Sequence, residues 1–581
     1  MKLLFLHCDY IKFKPLKKAL KSVEELSEKE KKEHEVKECL GVFVAVEKGD
    51  SVENVNDLIN NVKDVASQVK AKKIVLYPYA HLSNNLANPE IALNVLEESE
   101  KSLKRDFDVI KAPFGYYKEV ELKVKGHPLS ELSREISPTA GSPTAHPNAL
   151  SKSNKQPAKQ EDYDPHKLLN EISKSRLDTS KLKENDHRIL GQQMDLYSFN
   201  EVAPGMVFWH NNGLIVRDEL IKFWKEIHKQ HGYLEISTPQ IMDKRLWQIS
   251  GHWDKYKENN FLTNYENKDF IVKPMNCPGG MLVYRHSTKS YRDLPLRVGE
   301  LGIVHRQELS GVLGGLFRVV QFIQDDAHIF CTEEQADEEI SGIIDLIGLF
   351  YKKFRLPYRV ELSTRSEKRI GTDEMWNKAE KLLKKALDRK KMDYKTSGGQ
   401  GAFYGPKIDF HVKDSLGREW QCGTIQLDFS MPERFELEYT GKDDKRKRPI
   451  MIHRAIYGSL ERFIGILIEH YSGRLPCWLS PIQVRVINFT DRNNKYAERI
   501  FGKLKEEGIR VDLELSSVPL SGKIRDAELM KIPYIIVVGD KEEKEKTIAV
   551  RTKGEKKIKN MEVDDFVEQV KKEIEEGSRK I

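Results

Sequence analysis

The chain has 581 residues, which is too long for one hydrophobic core and predicts three or four domains. Hydrophobic residues make up 39% and charged residues 32% of the sequence, as in soluble globular proteins, and no apolar run is long enough to cross a bilayer. The net charge of +7 is too small to indicate nucleic-acid binding, and six scattered cysteines without a CxxC pair argue against a disulfide framework and favour a reducing cytosol.

Residues 1–136 alternate between strand and helix signals and predict a compact α/β domain. Apolar runs such as KLLFLH, LGVFVAVE and KKIVLYPYAHLS are typical of strands, and helices are predicted at Val52–Val69 and Pro89–Lys104. Residues 137–166 contain repeated prolines among Ser, Ala, Asn and Lys and almost no large apolar side chains. Such a composition cannot bury enough surface to order itself, so this segment is predicted to be a linker.

Residues 167–475 form the largest block and predict an antiparallel sheet flanked by helices. A long amphipathic helix is expected at Leu214–His231, and several later strands follow one another without intervening helices. From residue 476 the rhythm changes to strand, helix, strand, helix and strand, and a last helix is expected at Val563–Glu576. Residues 476–581 are therefore predicted to form a small α/β domain with a largely parallel sheet.

The segment HRQELSGVLGGLFRVVQFIQDDAHIF has a period of two, which is typical of a strand with two different faces. One face would carry a mixed row of functional side chains: Arg318, Val320, Phe322, Gln324, Asp326 and His328. Just upstream, Arg306 and Glu308 lie two apart on a second candidate strand, and the glycine-rich turn 310–315 suits a hairpin. Polar residues on a solvated face would explain most of this pattern. An aromatic ring among charged groups instead favours a site for a charged, planar ligand such as a nucleotide.

Short motifs in collinear order carry a resemblance to a known family. STPQIM, VHRQELSG with LFRVVQF, and GSLERFIGIL are similar to the three signatures of class II aminoacyl-tRNA synthetases, and KPMNCPGG, QDDAHIF, FYGPKIDF, WQCGTIQLDF and PIMIHRAI stand among them. The whole length apart from the linker resembles the threonyl-tRNA synthetases of the archaeal type. YPYAHLS, APFGYYK and GHPLSEL resemble the archaeal editing domain, which is similar to D-aminoacyl-tRNA deacylases. SGKIRD, VVGDKEE and AVRT resemble the anticodon-binding module of several class II enzymes.

The resemblance implies a multi-domain fold of the α/β and α+β classes. It places an α/β editing domain at 1–136, a linker at 137–166, a class II catalytic domain at 167–475 and an α/β anticodon-binding domain at 476–581. The implied activity is that of a threonine–tRNA ligase. ATP and L-threonine would give threonyl-adenylate, the threonyl group would pass to tRNA(Thr), and mischarged seryl-tRNA(Thr) would be hydrolysed. The family further implies a cytoplasmic homodimer without a membrane partner.

In this resemblance, side chains around the second and third signatures bind ATP with Mg²⁺. Arg306 would hold the α-phosphate, and Arg318 and Arg462 would hold the outer phosphates. Glu308 would accept from the adenine amino group, and Phe322 would stack on the ring. Phosphate chemistry of this kind needs charge neutralisation and positioning more than a covalent catalyst. From the sequence pattern alone, Arg462 would be interpreted as a surface arginine on a helix.

The resemblance makes Cys277, His328 and His453 the ligands of one Zn²⁺ per subunit, although their spacing alone would never indicate a metal. Three protein ligands leave a position open for substrate. The zinc would take the amino and hydroxyl groups of threonine, with Asp326 receiving the hydroxyl proton. A pocket that binds a substrate hydroxyl can reject an analogue without it by about 10⁴–10⁵-fold, which would exclude valine.

Other residues of the family's pocket also have counterparts in this sequence. Gln324, Tyr404 and Gln421 would contact threonine, and Gln421 would also contact ATP. Lys407 lines the same pocket and joins Arg306, Arg462 and His252 in the implied catalytic set. His252, in SGHWD, matches a residue that serves as base or proton relay in the transfer step, and a loop histidine without such a role is an equal alternative.

Serine keeps the hydroxyl and lacks only one methyl group, which is worth about 10–200-fold in discrimination, so hydrolytic correction is expected. Residues of the N-terminal domain match the family's editing residues: His81, Tyr117, Lys118, His127 and Glu131. Without the resemblance, Lys118 and Glu131 would be interpreted as plain surface charges. In the C-terminal domain Arg525, Glu542 and Arg551 match positions that contact the anticodon, and a solvated charged rim is the alternative.

Two competing hypotheses remain open at this point. The chain could be a non-catalytic paralogue that binds tRNA or mRNA as a regulator, against which the intact arginines and the metal triad argue. It could also be a class II ligase for another amino acid, because the proline, glycine and histidine enzymes share the C-terminal module. The metal triad disfavours that second hypothesis.

Overall fold

The computed structural model describes residues 1–579 except 21–22, 29, 84, 128, 137–163, 173–181, 256–259, 267, 368, 416 and 553–556. The chain divides into two compact units, Met1–Lys159 and Gln160–Ile581. Most of the predicted linker, residues 137–163, lies outside the described residues. Within the described part of the chain, no helix combines the length and the apolar character that crossing a membrane requires.

The first unit is an α/β domain built on one sheet. Its elements are β1 (Lys2–Lys18), β2 (His34–Ala45), α1 (Val55–Val69), β3 (Lys73–Pro78), α2 (Pro89–Leu103), β4 (Asp108–Lys111), β5 (Tyr116–Val124) and β6 (Glu131–Glu135). The strand order is β4-β3-β2-β1-β5, and β6 pairs with β1. Strands β2, β3 and β4 are parallel, whereas β1 is antiparallel to β2, β5 and β6.

Both helices of this unit follow from their sequences. In α1, Leu58, Val62 and Val65 recur at helical spacing and are fully buried against the sheet. Helix α2 begins with Pro89 in its first turn, and the Asn88 side chain caps it by accepting from the backbone N–H of Glu90. The two predicted helices are therefore present. The first begins three residues late because Val52–Asn54 forms a 3-10 turn instead.

The second unit contains the remaining elements. Its helices are α3 (Pro165–Glu171), α4 (His187–Gln193), α5 (Asn211–Gln230), α6 (Lys244–Ser250), α7 (His252–Lys255), α8 (Cys277–Arg285), α9 (Glu333–Lys353), α10 (Asp373–Arg389), α11 (Ser430–Arg434), α12 (Leu460–His470), α13 (Asn494–Glu506), α14 (Leu520–Leu529), α15 (Asp540–Glu545) and α16 (Val563–Arg579). Its strands are β7 (Tyr197–Ser198), β8 (Phe208–Trp209), β9 (Leu234–Glu235), β10 (Ile241–Asp243), β11 (Phe261–Tyr265), β12 (Lys268–Val272), β13 (Leu296–His305), β14 (Gln321–Cys331), β15 (Tyr358–Ser363), β16 (Tyr394–Ser397), β17 (Lys407–Lys413), β18 (Glu419–Asp428), β19 (Tyr439–Thr440), β20 (Arg446–Lys447), β21 (Ile450–Ser459), β22 (Val484–Asn488), β23 (Val511–Glu514), β24 (Tyr534–Val538), β25 (Thr547–Thr552) and β26 (Ile558–Glu562).

An eight-stranded sheet in the order β16-β15-β17-β18-β21-β14-β13-β9 organises this unit. The six central strands are antiparallel, and only the edge pairs β15–β16 and β13–β9 are parallel. Alternate residues of the central strands, such as Ile329, Ile425 and Ile452, join α9 and α12 in one hydrophobic core. Their neighbours in sequence point to the opposite face, as the period of two predicts.

The C-terminal sheet has the order β23-β22-β24-β25-β26. Strands β23, β22 and β24 are parallel, and β24, β25 and β26 form antiparallel pairs. Helix α16 buries Phe566, Val567 and Val570 in the core of this module. The predicted alternation of strands and helices is present here, and the antiparallel hairpin adds two strands to the parallel part.

One sequence-based prediction is wrong. Arg306 and Glu308 do not lie on a strand, because β13 ends at His305, which pairs with Gln321 at the start of β14. The predicted pairing of the two strands is present, since β13 and β14 are antiparallel neighbours, but residues 306–320 connect them by a longer loop with two 3-10 turns. Arg318 and Val320 therefore precede the strand. One more backbone bond, from the N–H of Arg306 to the carbonyl of Val320, follows the last pair, and the ladder ends there because the N–H of Val320 donates to the carbonyl of Gly205.

Candidate functional site

A cavity of about 440 Å³ opens on the polar face of the eight-stranded sheet. Three neighbouring strands form its floor: β14 contributes Phe322, Gln324 and Asp326, and β18 and β21 lie beside it. The structure brings most of the residues predicted from sequence to this one wall: Cys277, Arg306, Glu308, Arg318, Phe322, Gln324, Asp326, Tyr404, Lys407, Gln421, His453 and Arg462. The alternation along β14 thus places its functional side chains on one surface.

Arginine side chains line one side of this cavity. Arg462, near the start of α12, donates from Nε to the carbonyl of Phe317 at 2.9 Å and from Nη1 to the carbonyl of Gln421 at 3.2 Å. Arg306 donates from Nε to the carbonyl of Pro274 at 3.1 Å, and its guanidinium lies 5.2 Å from the centre of the Phe322 ring. Burial, followed by the nearby charges of Arg318 and Arg306, lowers the pKa of Arg462. Concentrated positive charge of this kind suits a polyphosphate.

Glu308 and Arg318 form an ion pair at the edge of the cavity. Arg318 donates from Nε and Nη2 to Oε2 of Glu308 at 3.0 and 2.9 Å. The resemblance assigns these two residues to different parts of ATP, the adenine edge and the outer phosphates. The structure holds the two side chains within hydrogen-bond distance of each other. The adenine edge and the outer phosphates would therefore lie close together in a folded ligand.

Cys277 and His453 line the same cavity, and the buried His328, which does not line it, lies beside them. Each offers a ligand atom, and these atoms all lie within 4.8 Å of one another in buried surroundings. Cys277 begins α8, while His328 on β14 and His453 on β21 face each other across paired strands. Among the residues that the structure describes, neither ring nitrogen of His328 has a hydrogen-bond partner. An unsatisfied buried imidazole beside a thiol and a second imidazole is a donor set that fits Zn²⁺.

Neighbouring polar groups orient this triad. Nε2 of His453 lies 2.9 Å from Oδ2 of Asp428, whose other oxygen accepts from the backbone N–H groups of Ser430 and Met431. Metal-binding histidines commonly use their second nitrogen in this way. Asp326 lies beside the triad, 3.6 Å from Nε2 of His328.

Sequence reasoning missed three side chains that hold the predicted residues. Asp409 pairs with Nζ of Lys407 at 2.5 Å, Gln426 accepts from the hydroxyl of Tyr404, and Asp428 contacts the imidazole already described. A signal was present, because Lys407 and Asp409 lie two apart on β17 and Gln426 and Asp428 lie two apart on β18. The same alternation that marked β14 could have identified them.

His252 does not line the cavity. The ring is fully buried, with Nε2 2.8 Å from the sulfur of Met275 and Nδ1 2.8 Å from the hydroxyl of Ser250. Met275 itself lines the cavity, so it lies between His252 and the ligand space. Burial lowers the pKa of His252 to about 3, which keeps the imidazole neutral at physiological pH.

A second cavity, also of about 440 Å³, lies in the first unit. His81, Tyr117 and Lys118 line it, and most of the other lining groups are apolar or aromatic. Lys118 donates from Nζ to the carbonyls of Pro113 at 2.9 Å and Tyr116 at 3.0 Å. Burial lowers the pKa of Lys118 to about 8, so this amine can change its charge near physiological pH.

The other two editing candidates are not among the residues that line this second cavity. Nε2 of His127 lies 2.8 Å from Nδ1 of His7, and Nδ1 of His127 accepts from the backbone N–H of Leu129. Glu131 is exposed at the start of β6, opposite Leu6. The structure therefore gathers three of the five predicted residues and leaves two apart.

The three anticodon candidates do not form one contact cluster. Arg525 is exposed on α14, and Glu542 caps α15 by accepting from the backbone N–H of Gly539 at 3.0 Å. Arg551, on β25, lies 3.9 Å from Glu528 on α14. Glu542 thus has a local structural role that the sequence did not reveal.

Three protein-family profiles match successive parts of the chain. Residues 1–136 match the Archaea-specific editing domain of threonyl-tRNA synthetase. Residues 261–471 match the class II core domain of the tRNA synthetases for G, H, P, S and T. Residues 483–573 match an anticodon-binding domain.

Individual relatives agree with these matches. A threonine–tRNA ligase from Caldanaerobacter subterraneus is 53% identical over 68% of this chain and 61% of its own length, and one from Desulforamulus reducens is 53% identical over 68% and 62%. The chain thus spans about three-fifths of the length of these relatives. A crystal structure titled as the RNA-binding domain of threonyl-tRNA synthetase from Cryptosporidium parvum is 40% identical, with a TM-score of 0.65, and the match covers 67% of this chain and 98% of that one. The chain therefore belongs to the threonyl-tRNA synthetase family, with an N-terminal domain of the archaeal type.

Proposed function

We propose that the chain is a threonine–tRNA ligase that also hydrolyses mischarged seryl-tRNA(Thr). The observation that carries this proposal is the first cavity, which several arginines line together with Cys277 and His453, two members of the triad that His328 completes. The arginines suit ATP and the triad suits an amino acid with a side-chain hydroxyl. In a protein that only bound RNA, the arginines and the triad would have no reason to lie together.

In the first step, the carboxylate of threonine attacks the α-phosphorus of ATP and pyrophosphate leaves. Arg306 holds the α-phosphate, where negative charge grows in the transition state. Arg318 and Arg462 hold the β- and γ-phosphates together with Mg²⁺, and Phe322 stacks on adenine beside Glu308. Lys407 and Gln421, fixed by Asp409, complete the cavity wall near the reacting groups. Catalysis comes from positioning and charge, without a covalent enzyme intermediate.

Amino-acid choice depends on the triad. Cys277, His328 and His453 would hold one Zn²⁺, which when bound supplies a Lewis-acid position for the amino and hydroxyl groups of threonine. Asp326 accepts the hydroxyl proton, and Gln324 and Tyr404 line the amino-acid end of the cavity. Valine has no hydroxyl and would leave these buried groups unpaired.

In the second step, the terminal adenosine of tRNA(Thr) takes the threonyl group. We assign His252 as the proton relay through the family resemblance; burial keeps its ring neutral and weakly basic, so it would pass a proton on rather than hold it. Met275 lies between this ring and the cavity, so a change of its flexible side chain would open the path. Arg525, Glu542 and Arg551 are assigned to the anticodon end of the tRNA.

Correction of serine is assigned to the second cavity. Lys118, with His81 and Tyr117 beside it, would polarise the ester carbonyl of seryl-tRNA or hold the attacking water. His127 and Glu131 are retained as candidates through the family resemblance. The proposed boundaries are 1–136 for editing, 137–166 for the linker, 167–475 for the catalytic domain and 476–581 for anticodon binding.

We further propose a cytoplasmic homodimer. Ile241, Ile249, Leu262 and Leu282 are exposed apolar side chains on β10, α6, β11 and α8. An exposed apolar group of this kind favours burial against a partner. Six free, buried cysteines are compatible with a reducing compartment.

Threonine-dependent exchange of pyrophosphate into ATP tests the proposed activity. The exchange should require threonine, ATP and Mg²⁺, and bound zinc should be close to one per subunit. A regulatory paralogue would show no exchange, and a ligase for another amino acid would exchange with proline, glycine or histidine instead. Either result would replace the proposal.

A further inference from the structure

A buried histidine outside the cavity connects two of its walls. His187 begins α4 and is almost completely buried. Its Nδ1 lies 2.7 Å from Oε1 of Glu469, and its Nε2 accepts from the backbone N–H of Leu316 at 3.0 Å. Because Nε2 must carry a lone pair to accept, Nδ1 carries the proton and donates to the glutamate. The two contacts fix one tautomer of this ring.

This arrangement is not a metal site, although Asp186, His187 and Glu469 lie close enough together to suggest one. Both ring nitrogens of His187 already have partners. Glu469 also pairs through its other oxygen with Arg418, and Asp186 pairs with Arg188. The groups that a cation would need are satisfied within the protein, so the cluster acts by hydrogen bonding.

The segment that His187 holds at Leu316 contacts Arg462 one residue further along the chain. The residue after Leu316 is Phe317, whose carbonyl accepts from Nε of Arg462 at 2.9 Å. The Phe317 ring contacts the ring of His187, at 4.2 Å between centroids, and stacks on the ring of Trp420, at 4.3 Å. Residues 316–317 are therefore held by the hydrogen bond at Leu316 and by the ring contacts of Phe317.

The approach of this segment to His187 is tight. Gly315 has a φ of +55°, and a Cβ built on it would lie 2.3 Å from Nε2 of His187. Only glycine combines this backbone conformation with such a close approach. The peptide N–H of Leu316 can therefore reach the imidazole only because residue 315 has no side chain.

We propose that His187 is a positioning residue for ATP, which holds residues 315–318 so that the Phe317 carbonyl aims Arg462 at the outer phosphates. Arg318 follows Phe317 in the chain, so the same hydrogen bond also restricts the backbone position of this second arginine. The inference rests on the proposed function, because it needs ATP as the ligand of these arginines. Its structural basis is the continuous path from Glu469 through His187, Leu316 and Phe317 to Arg462.

Three substitutions of His187 in the full chain separate its two contacts. Asparagine places an amide near the Nδ1 position and glutamine near the Nε2 position, while alanine removes both. We expect His187→Asn and His187→Ala to weaken the affinity for Mg²⁺–ATP, measured by calorimetry, by roughly 5- to 100-fold, as for a buried N–H left unpaired. His187→Gln can still accept from Leu316 and should stay within about threefold of the wild type.

A second readout distinguishes positioning from general stability. In the exchange assay, the KM for ATP should rise in His187→Asn while the KM for threonine stays unchanged. Combining His187→Asn with Arg462→Lys should weaken ATP binding by less than the product of the two single effects, because both act on one contact. Tyr197→Phe is the matched control: its hydroxyl donates to the carbonyl of the same histidine, and its loss should leave ATP affinity unchanged.

The possible results bear separately on the positioning role of His187 and on the proposed function. Wild-type affinity for ATP in both His187→Asn and His187→Ala, or an equal loss in His187→Gln and His187→Asn that parallels their thermal stability, would refute the positioning role. A wild-type chain that binds ATP but shows no threonine-dependent exchange would refute the proposed function and leave the positioning role to stand on ATP affinity. A wild-type chain that does not bind ATP would refute both.

Discussion

The cavity lined by the arginines and the cavity around Lys118 have the same volume and opposite chemistry. The cavity in the second unit is lined by arginines, carboxylates and amides on neighbouring strands of one sheet. The cavity in the first unit is lined mainly by apolar and aromatic groups around one amine, Lys118. In the first case several charged side chains surround a space that suits a large anionic ligand. In the second, removal of water from a single group changes its pKa.

Under the proposed function, the contrast corresponds to a division between synthesis and correction. Joining ATP to an amino acid requires several charges to be held in fixed positions, and a rigid sheet supplies them. Hydrolysis of an ester needs fewer groups, since water is the second reactant. In the proposed correction step, the Lys118 amine, whose pKa burial lowers to about 8, would supply a charge that can change near physiological pH.

The choice of amino acid should have a larger effect on the exchange rate than any substitution below. Exchange with threonine should exceed exchange with valine by about 10⁴–10⁵-fold in kcat/KM, because valine cannot satisfy the buried groups that bind a hydroxyl. Serine should be only about 10–200-fold worse than threonine, since it lacks one methyl group. If valine were accepted as well as serine, selection by shape would replace selection by the hydroxyl.

Removal of one arginine from the first cavity should have the next largest effect. Arg306→Gln should lower the rate of threonine-dependent exchange by about 10²–10³-fold, because the charge that stabilises the transition state is lost. Arg389→Gln is the control: this arginine is exposed on α10 and pairs with Asp337, and its loss should not change the exchange rate. Similar rates for both variants would contradict the assignment of Arg306.

In the second cavity, Lys118→Met should slow hydrolysis of seryl-tRNA by roughly 10²-fold while threonine-dependent exchange is unchanged. Lysine is charged below its pKa, and burial lowers that pKa to about 8. If the ammonium stabilises the growing negative charge, the ratio of wild-type to variant rates should be largest below pH 8 and fall above it. Lys123→Met, on the same strand but exposed, should not change hydrolysis at any pH.

A ratio that stayed constant from pH 6 to pH 10 would show that the charge of Lys118 does not act in the reaction. A ratio that rose above pH 8 would instead show that the neutral amine acts as a base.

The smallest effect is expected far from both cavities. Arg525→Ala should raise the KM for tRNA about tenfold, as expected for loss of a charged hydrogen bond, and leave exchange without tRNA unchanged. Arg499→Ala, on α13, is the control. An unchanged KM for tRNA in Arg525→Ala would mean that this arginine belongs to a solvated rim.

Part of the first cavity could be predicted from the sequence because it depends on local alternation. Phe322, Gln324 and Asp326 share a face of β14, and the period of two identified that face. The start of the strand could not be predicted. The ladder ends where Val320 bonds to Gly205, a residue far away in the chain.

The cluster of Cys277, His328 and His453 could not be found from spacing, because Cys277 begins a helix and the two histidines come from strands that meet only through sheet pairing. Only the family resemblance indicated it. For His127 the resemblance itself was insufficient. It grouped this residue with Lys118, whereas the structure pairs it with His7, and no local sequence signal indicates that pair. Contacts between distant segments therefore set the boundary of what the sequence reveals.

In the proposed function, a metal held by Cys277, His328 and His453 would select threonine through its hydroxyl. The most direct test removes metal with a chelator, measures threonine-dependent exchange and bound zinc, and then adds Zn²⁺ back. We expect exchange to be lost with the metal and to return with about one zinc per subunit. Full exchange and undiminished rejection of valine in the metal-free protein would contradict it.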